Sequence, residues 1–86
     1  MIKKSVRIHL SNGLEARPVA LLVQVASQFE STVYLETSDK RVNAKSIMGM
    51  MNLGLDNGEE VSVVCEGVDE ESAMTDVERF LLGEAS

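Results

Sequence analysis

Aromatic residues are scarce in these 86 residues: two phenylalanines, one tyrosine and no tryptophan. The core must therefore be aliphatic, and a hydrophobic fraction of 44% can supply one. A single cysteine, Cys65, excludes an internal disulfide. Basic residues are few, eight against 14 acidic ones, which leaves a net charge of −6. That balance argues against direct nucleic-acid binding, which needs clustered Lys and Arg. It argues equally against recruitment to an anionic membrane surface. No apolar run approaches the length of a membrane span. The stretch Met1-Ile2-Lys3-Lys4-Ser5-Val6-Arg7 lacks the apolar centre and small-residue cleavage site of a signal peptide. Repeats, low-complexity segments and linkers are missing too. The expectation is a single soluble, cytoplasmic domain over residues 1–86, with no cofactor and no metal site.

What is present is alternation and helical spacing. Residues 2 to 10 place Ile2, Val6, Ile8 and Leu10 on one side and Lys3, Ser5, Arg7 and His9 on the other. This predicts a strand with one wet face, and a solvated role for His9, the only histidine. Lys4 interrupts the apolar side, where its long stem can reach solvent. A helix is predicted from about Ala16 to Phe29, with Val19, Leu22, Val23 and Ala26 in one stripe. Ala20, Leu21 and Val25 widen that stripe beyond what a sheet can cover, so either tertiary cover or a docking partner must hide the excess. Thr32–Thr37 and Lys40–Asn43 form a hairpin around Ser38-Asp39. Asp56-Asn57-Gly58 is turn chemistry, and Glu60–Gly67 is a last strand with Val61, Val63 and Cys65 inward. Asp69 reads as the N-cap of a helix that runs through residue 82 and stops at Gly83. All strands have one polar face, so the economical architecture is α+β, an antiparallel four-stranded sheet with helices on one side.

Two stretches carry more than fold. Asn12-Gly13 and Pro18 bracket a tight connection, with Pro18 expected as the first helical residue. The helix start behind it, with Arg17, suits an anion, and Glu15 is the residue placed to act there. Ser46 is well placed to cap a short helix that Gly49 weakens and Gly54 ends. Ile47 and three methionines exceed what one packing face of so short a helix can hide. Met50 and Leu53 are assigned to the core, Met48 and Met51 to the surface, where methionine suits recognition.

With Gly13-Leu14-Glu15-Ala16-Arg17-Pro18 and Asn43-Ala44-Lys45-Ser46-Ile47-Met48-Gly49 in that order, the chain resembles the HPr family of the sugar phosphotransferase system, over essentially its whole length. The resemblance implies an open-faced β-sandwich with sheet order 1-4-2-3 and three helices on one face. In the family's first motif a histidine accepts a phosphoryl group and passes it to a sugar transporter subunit. This chain has Glu15 there, which would have to form an acyl phosphate in place of a phosphoramidate. His9, on the preceding strand, cannot substitute. The likeness is therefore to the family's catabolite-repression branch, the Crh type, which has lost the histidine and kept the serine, although glutamine is more usual there than glutamate. It implies that Ser46 is phosphorylated by the bifunctional HPr kinase/phosphorylase. The phosphorylated form would then act as corepressor of the LacI-type regulator CcpA, with no enzymatic activity of its own. The partner face it implies is Arg17, Ala20, Leu21, Gln24, Ile47, Met48 and Met51.

Two other readings stay open on the residues alone. Glu15 could receive phosphate in a phosphocarrier-type variant, or act unmodified as a mimic of phosphohistidine in a constitutive binding module. A terminal edge strand followed by Asn12-Gly13 also leaves exchange of that strand in a homodimer available.

Overall fold

In a computed structural model, which describes residues 1–11 and 13–84, the alternating stretches become β1 (Ile2–Arg7), β2 (Thr32–Glu36), β3 (Arg41–Asn43) and β4 (Glu60–Glu66). They form one antiparallel sheet in the order β1-β4-β2-β3. Ile2 faces Cys65, Val6 faces Val61, and Leu35 sits between Val63 and Val42. This register puts the inward set Val6, Val33, Leu35, Val61, Val63 and Cys65 on one buried face. Burial first, then the charges of Glu70 and Asp69, pushes the Cys65 thiol up to about 11, so Cys65 packs as a small hydrophobe.

The opposite face is wet and laced by side chains. Glu36 pairs with Lys3 at 3.2 Å and with Arg41 at 3.3 Å. The Arg41 guanidinium lies 4.0 Å from the centre of the Tyr34 ring. Val64 points to this side yet is buried, flanked in register by Lys3 and Tyr34. Lys4 does not simply reach solvent: it pairs with Glu78 of the last helix at 3.0 Å.

Three helices cover the apolar face: α1 (Ala16–Ser27), α2 (Ile47–Met51) and α3 (Glu70–Leu81). The buried residues of α1 are Val19, Leu22, Val23 and Ala26, the stripe that its spacing predicts. Those of α3 are Ala73, Met74, Val77 and Leu81, with Phe80 half-buried at the edge. No described helix is long and apolar enough to cross a membrane.

Three expectations are corrected. β1 ends at Arg7 rather than at residue 10, because the β4 ladder begins only at Glu60. The His9 N–H instead donates to the Leu81 carbonyl at the end of α3. Pro18 is the third helical residue, since α1 starts at Ala16, but its missing N–H still falls among the first-turn donors that have no partner in the helix. Asp69 occupies the cap position of α3 without a side-chain capping bond. Its carboxylate accepts instead from the N–H groups of Glu30 and Ser31, each at 2.9 Å, and from the Ser31 hydroxyl. Those bonds, the Ser31 hydroxyl first, hold its pKa below the usual carboxylate value.

Candidate functional site

The site is built at two helix starts. Asn12 lies outside the described residues, but Gly13 shows why the entry to α1 is tight. Its φ is 65°, and an added Cβ would stand 2.7 Å from the Leu55 carbonyl oxygen. The Leu14 N–H donates to that same carbonyl at 2.8 Å. The loop after α2 thus fixes the segment that enters α1.

Glu15 follows in extended conformation at the N-cap, and its side chain makes no capping bond. Its carbonyl accepts from the Val19 N–H at 2.9 Å. Arg17 is exposed and makes no ion pair among the described residues. Beside it runs a shallow groove lined by Leu10, Glu15, Ala16, Arg17, Pro18, Leu21 and Phe80. Leu10 and Phe80 are expected from the sequence only as packing residues of the first strand and the last helix, not as part of the site, yet both line the groove. Phe80 comes in because its place at the margin of the α3 stripe turns it toward α1. The apolar excess of α1 resolves residue by residue: Val25 packs against the core, Ala20 is half-buried and Leu21 stays exposed.

The second helix start is more completely organised. The Ala44 N–H donates to the Val33 carbonyl at 2.8 Å, and the Lys45 N–H to Asn43 Oδ1 at 2.8 Å. The Ser46 N–H donates to the Asn43 carbonyl at 3.0 Å. Held there, Ser46 Oγ accepts from the Gly49 N–H at 3.2 Å, a genuine N-cap. Gly49 is placed so that a Cβ would sit 3.4 Å from Ser46 Oγ, in ordinary contact. Met50 and Leu53 anchor α2 in the core, as expected, while Ile47, Met48 and Met51 project outward. In a five-residue helix with one anchored face, positions 47, 48 and 51 have nowhere else to go.

Charge is distributed to match. Neither α1 nor α2 carries an acidic residue in its first turn, whereas α3 carries Glu70 and Glu71 there. In a chain with 14 acidic side chains, the start of α2 is therefore left open to added negative charge. The two lysines near α2 are engaged at helix ends. Lys45 Nζ donates to the Phe29 carbonyl just beyond α1 at 2.7 Å, and Lys40 Nζ to the Asn52 carbonyl at the C-cap of α2 at 2.9 Å. No group of three or more His, Cys, Asp or Glu that could hold a metal ion occurs among the described residues.

The predicted set is brought into one layer but not into one pocket. α1 packs against α2, so both patches lie on the helical side of the sheet. Arg17 and Leu21 line the groove toward Phe80, while Ile47, Met48 and Met51 stand out from α2. Ala20 is half-buried and Gln24 exposed on α1, outside the groove. His9 is exposed and does not line it either.

Comparison with known proteins bears on this geometry. A family model described as the PTS HPr component phosphorylation site matches residues 2–82. The HPr-like protein Crh of Halalkalibacterium halodurans is 44% identical over 81 residues, covering 94% of this chain and 96% of the relative. The crystal structure of a phosphocarrier protein HPr from Bacillus anthracis aligns with a TM-score of 0.90 at 41% identity, over 93% of this chain and 95% of that one. The crystal structure of Bacillus subtilis Crh, described as a dimer with a swapping domain, aligns with a TM-score of 0.80 at 43% identity, over 100% and 99% of the two chains.

Proposed function

Because this chain belongs to the HPr family, a family of phosphocarrier and regulatory proteins, we propose that it is a cytoplasmic regulatory member of the Crh type, switched by phosphorylation of Ser46. Its substrate role is toward an HPr kinase/phosphorylase, and its phosphorylated form is the corepressor of a CcpA-type regulator.

The observation that carries the reading is the pairing at α2: a capping serine with no acid in the helix's first turn, beside three exposed apolar side chains. Phosphate on Ser46 adds roughly −1.5 to −2 charge next to a positive helix end, so α2 should persist rather than melt. The product is a charged spot rimmed by Ile47, Met48 and Met51. A partner arginine can pair with the phosphate while those side chains fill an apolar pocket. Arg17, Ala20, Leu21 and Gln24 extend the contact along α1. The phosphate adds to a net charge of −6, so the matching face of the regulator is basic.

Glu15 stands where the family's first motif carries its phosphate-accepting histidine, which argues against phosphotransfer through a phosphohistidine at that position. A second reading draws on the exposed Glu15 side chain beside the groove: phosphotransfer through an acyl phosphate. Phosphoenolpyruvate with the first enzyme of the system would then give an adduct labile to base and hydroxylamine. The Ser46 reading is tested by incubating the chain with ATP and an HPr kinase. Label is expected on Ser46 and lost in Ser46→Ala; no label, or label that survives the substitution, overturns it. A homodimer is a further proposal for this chain, supported by the Crh relative's description as a dimer with a swapping domain; exchange of the terminal strand β1 is the form the sequence leaves available.

A further inference from the structure

The chain has five methionines, and the fold sorts them sharply. Met48 is 80% exposed, Met1 73% and Met51 49%, whereas Met50 is 0% and Met74 3% exposed. Met48 and Met50 are two residues apart on the same short helix, yet one thioether stands in solvent and the other is sealed in the core. Oxidation of a methionine sulfur requires access to the oxidant, so the same sorting ranks their chemistry.

We propose that Met48 is an oxidation site for hydroperoxides, and that its sulfoxide shuts the docking face beside Ser46. The sulfur lone pair attacks one oxygen of hydrogen peroxide. The S–O bond forms as the O–O bond breaks, and the departing hydroxide takes the proton of the new sulfur-bound hydroxyl, which leaves the sulfoxide and water. Sulfur is oxidised by two electrons and the peroxide is reduced by two. A thiol-dependent sulfoxide reductase returns the thioether: two thiols give up two electrons and become a disulfide, and the sulfoxide oxygen leaves as water.

The consequence follows from where Met48 sits. The sulfoxide is polar and chiral, and it needs a hydrogen-bond donor wherever it is buried. A partner pocket that accepts a thioether offers none, so the oxidised side chain must stay in water and hold the surfaces apart. Ser46 and Met48 thus bracket the first turn of α2 with opposite effects: phosphate on the first promotes docking, and oxygen on the second blocks it. Met50, by contrast, is shielded, so oxidation of the folded chain changes the surface without loosening the core. This consequence rests on the docking role proposed for α2.

Two measurements test it. The folded protein is treated with hydrogen peroxide for timed intervals and the sulfoxide at each methionine is followed by peptide mass spectrometry. Met48 is expected to oxidise at a rate similar to that of Met1, and about tenfold or more faster than Met50 and Met74. A Met48 rate no greater than that of Met50 overturns the site. Next, Ser46-phosphorylated protein is titrated with a CcpA-type regulator before and after peroxide, alongside Met48→Leu. Both proteins carry Met51→Leu, so that half-exposed Met51 cannot contribute. The affinity of the chain that keeps Met48 is expected to fall about tenfold or more, and that of Met48→Leu, whatever its starting value, to change less than about twofold. An equal loss in both overturns the assignment to Met48. If the untreated phosphoprotein binds no regulator, the docking reading fails and the consequence of oxidation falls with it. The rate order of the five methionines then still decides the modification site.

Discussion

Replacing Ser46 by alanine separates its two roles. The hydroxyl accepts the Gly49 N–H at 3.2 Å, and α2 has only five residues over which to spread the loss. Removing an N-cap oxygen costs about 1 kcal/mol, within a range of roughly 0.5–2. For a domain of this size, a change of that order lowers Tm by about 4–8 °C. Ser46→Asp keeps an oxygen at the cap and adds negative charge where the helix end favours it. It should therefore leave Tm within about 2 °C of the parent, although aspartate carries about half the charge of phosphate. Urea denaturation followed by far-UV circular dichroism checks both variants, with the m-value expected to stay constant. Alanine tolerated without loss, or aspartate as damaging as alanine, would refute the cap as the structural basis of the switch. A third result is equally informative. If phosphorylation lowers stability more than Ser46→Ala does, then the phosphate disrupts α2, and docking cannot use an intact α2 surface.

Gly49→Ala should stabilise the chain by about 0.5–1 kcal/mol, since alanine outranks glycine within a helix and its methyl meets only ordinary contacts. Thermal denaturation reads the sign, and a lowered Tm would mean that crowding of Ser46 Oγ outweighs propensity. Asp69 makes its contribution through the ionised carboxylate, whose pKa is lowered in the fold. That contribution is fully present above the unfolded-state value near 3.8 and is lost as pH falls through the lower folded value. The stability gap between wild type and Asp69→Asn should thus be widest at neutral pH and narrow below about pH 4; a gap that does not vary with pH would contradict the ionic character of the Ser31 link.

The periodic parts of the chain were the legible ones. Helix α1 buries Val19, Leu22, Val23 and Ala26 because an amphipathic stripe needs only a sheet to lie on. Ser46 was legible as a cap because a cap is a local arrangement, complete within four residues. What the sequence hides is partnership across distance. The end of β1 is set by where β4 begins, more than fifty residues away. Asp69 looks like a cap by spacing, but the approach of the Glu30-Ser31 segment draws its carboxylate elsewhere. An added Cβ on Gly67 would meet the Ser31 backbone at 2.6 Å, so a glycine two residues before Asp69 is what lets that segment come close. The groove beside Arg17 was half legible: its α1 side follows from helical spacing, whereas Leu10 and Phe80 arrive from β1's extension and from α3.

The measurement that bears most directly on the account is the affinity of a CcpA-type regulator for this chain with and without phosphate on Ser46. Binding is expected from the phosphorylated chain alone, weakened by added salt because the phosphate–arginine pairing is electrostatic, and lost when Ile47 or Met48 is replaced by a charged residue. Equal binding by both forms, or binding that depends on Glu15 and is indifferent to Ser46, would contradict it.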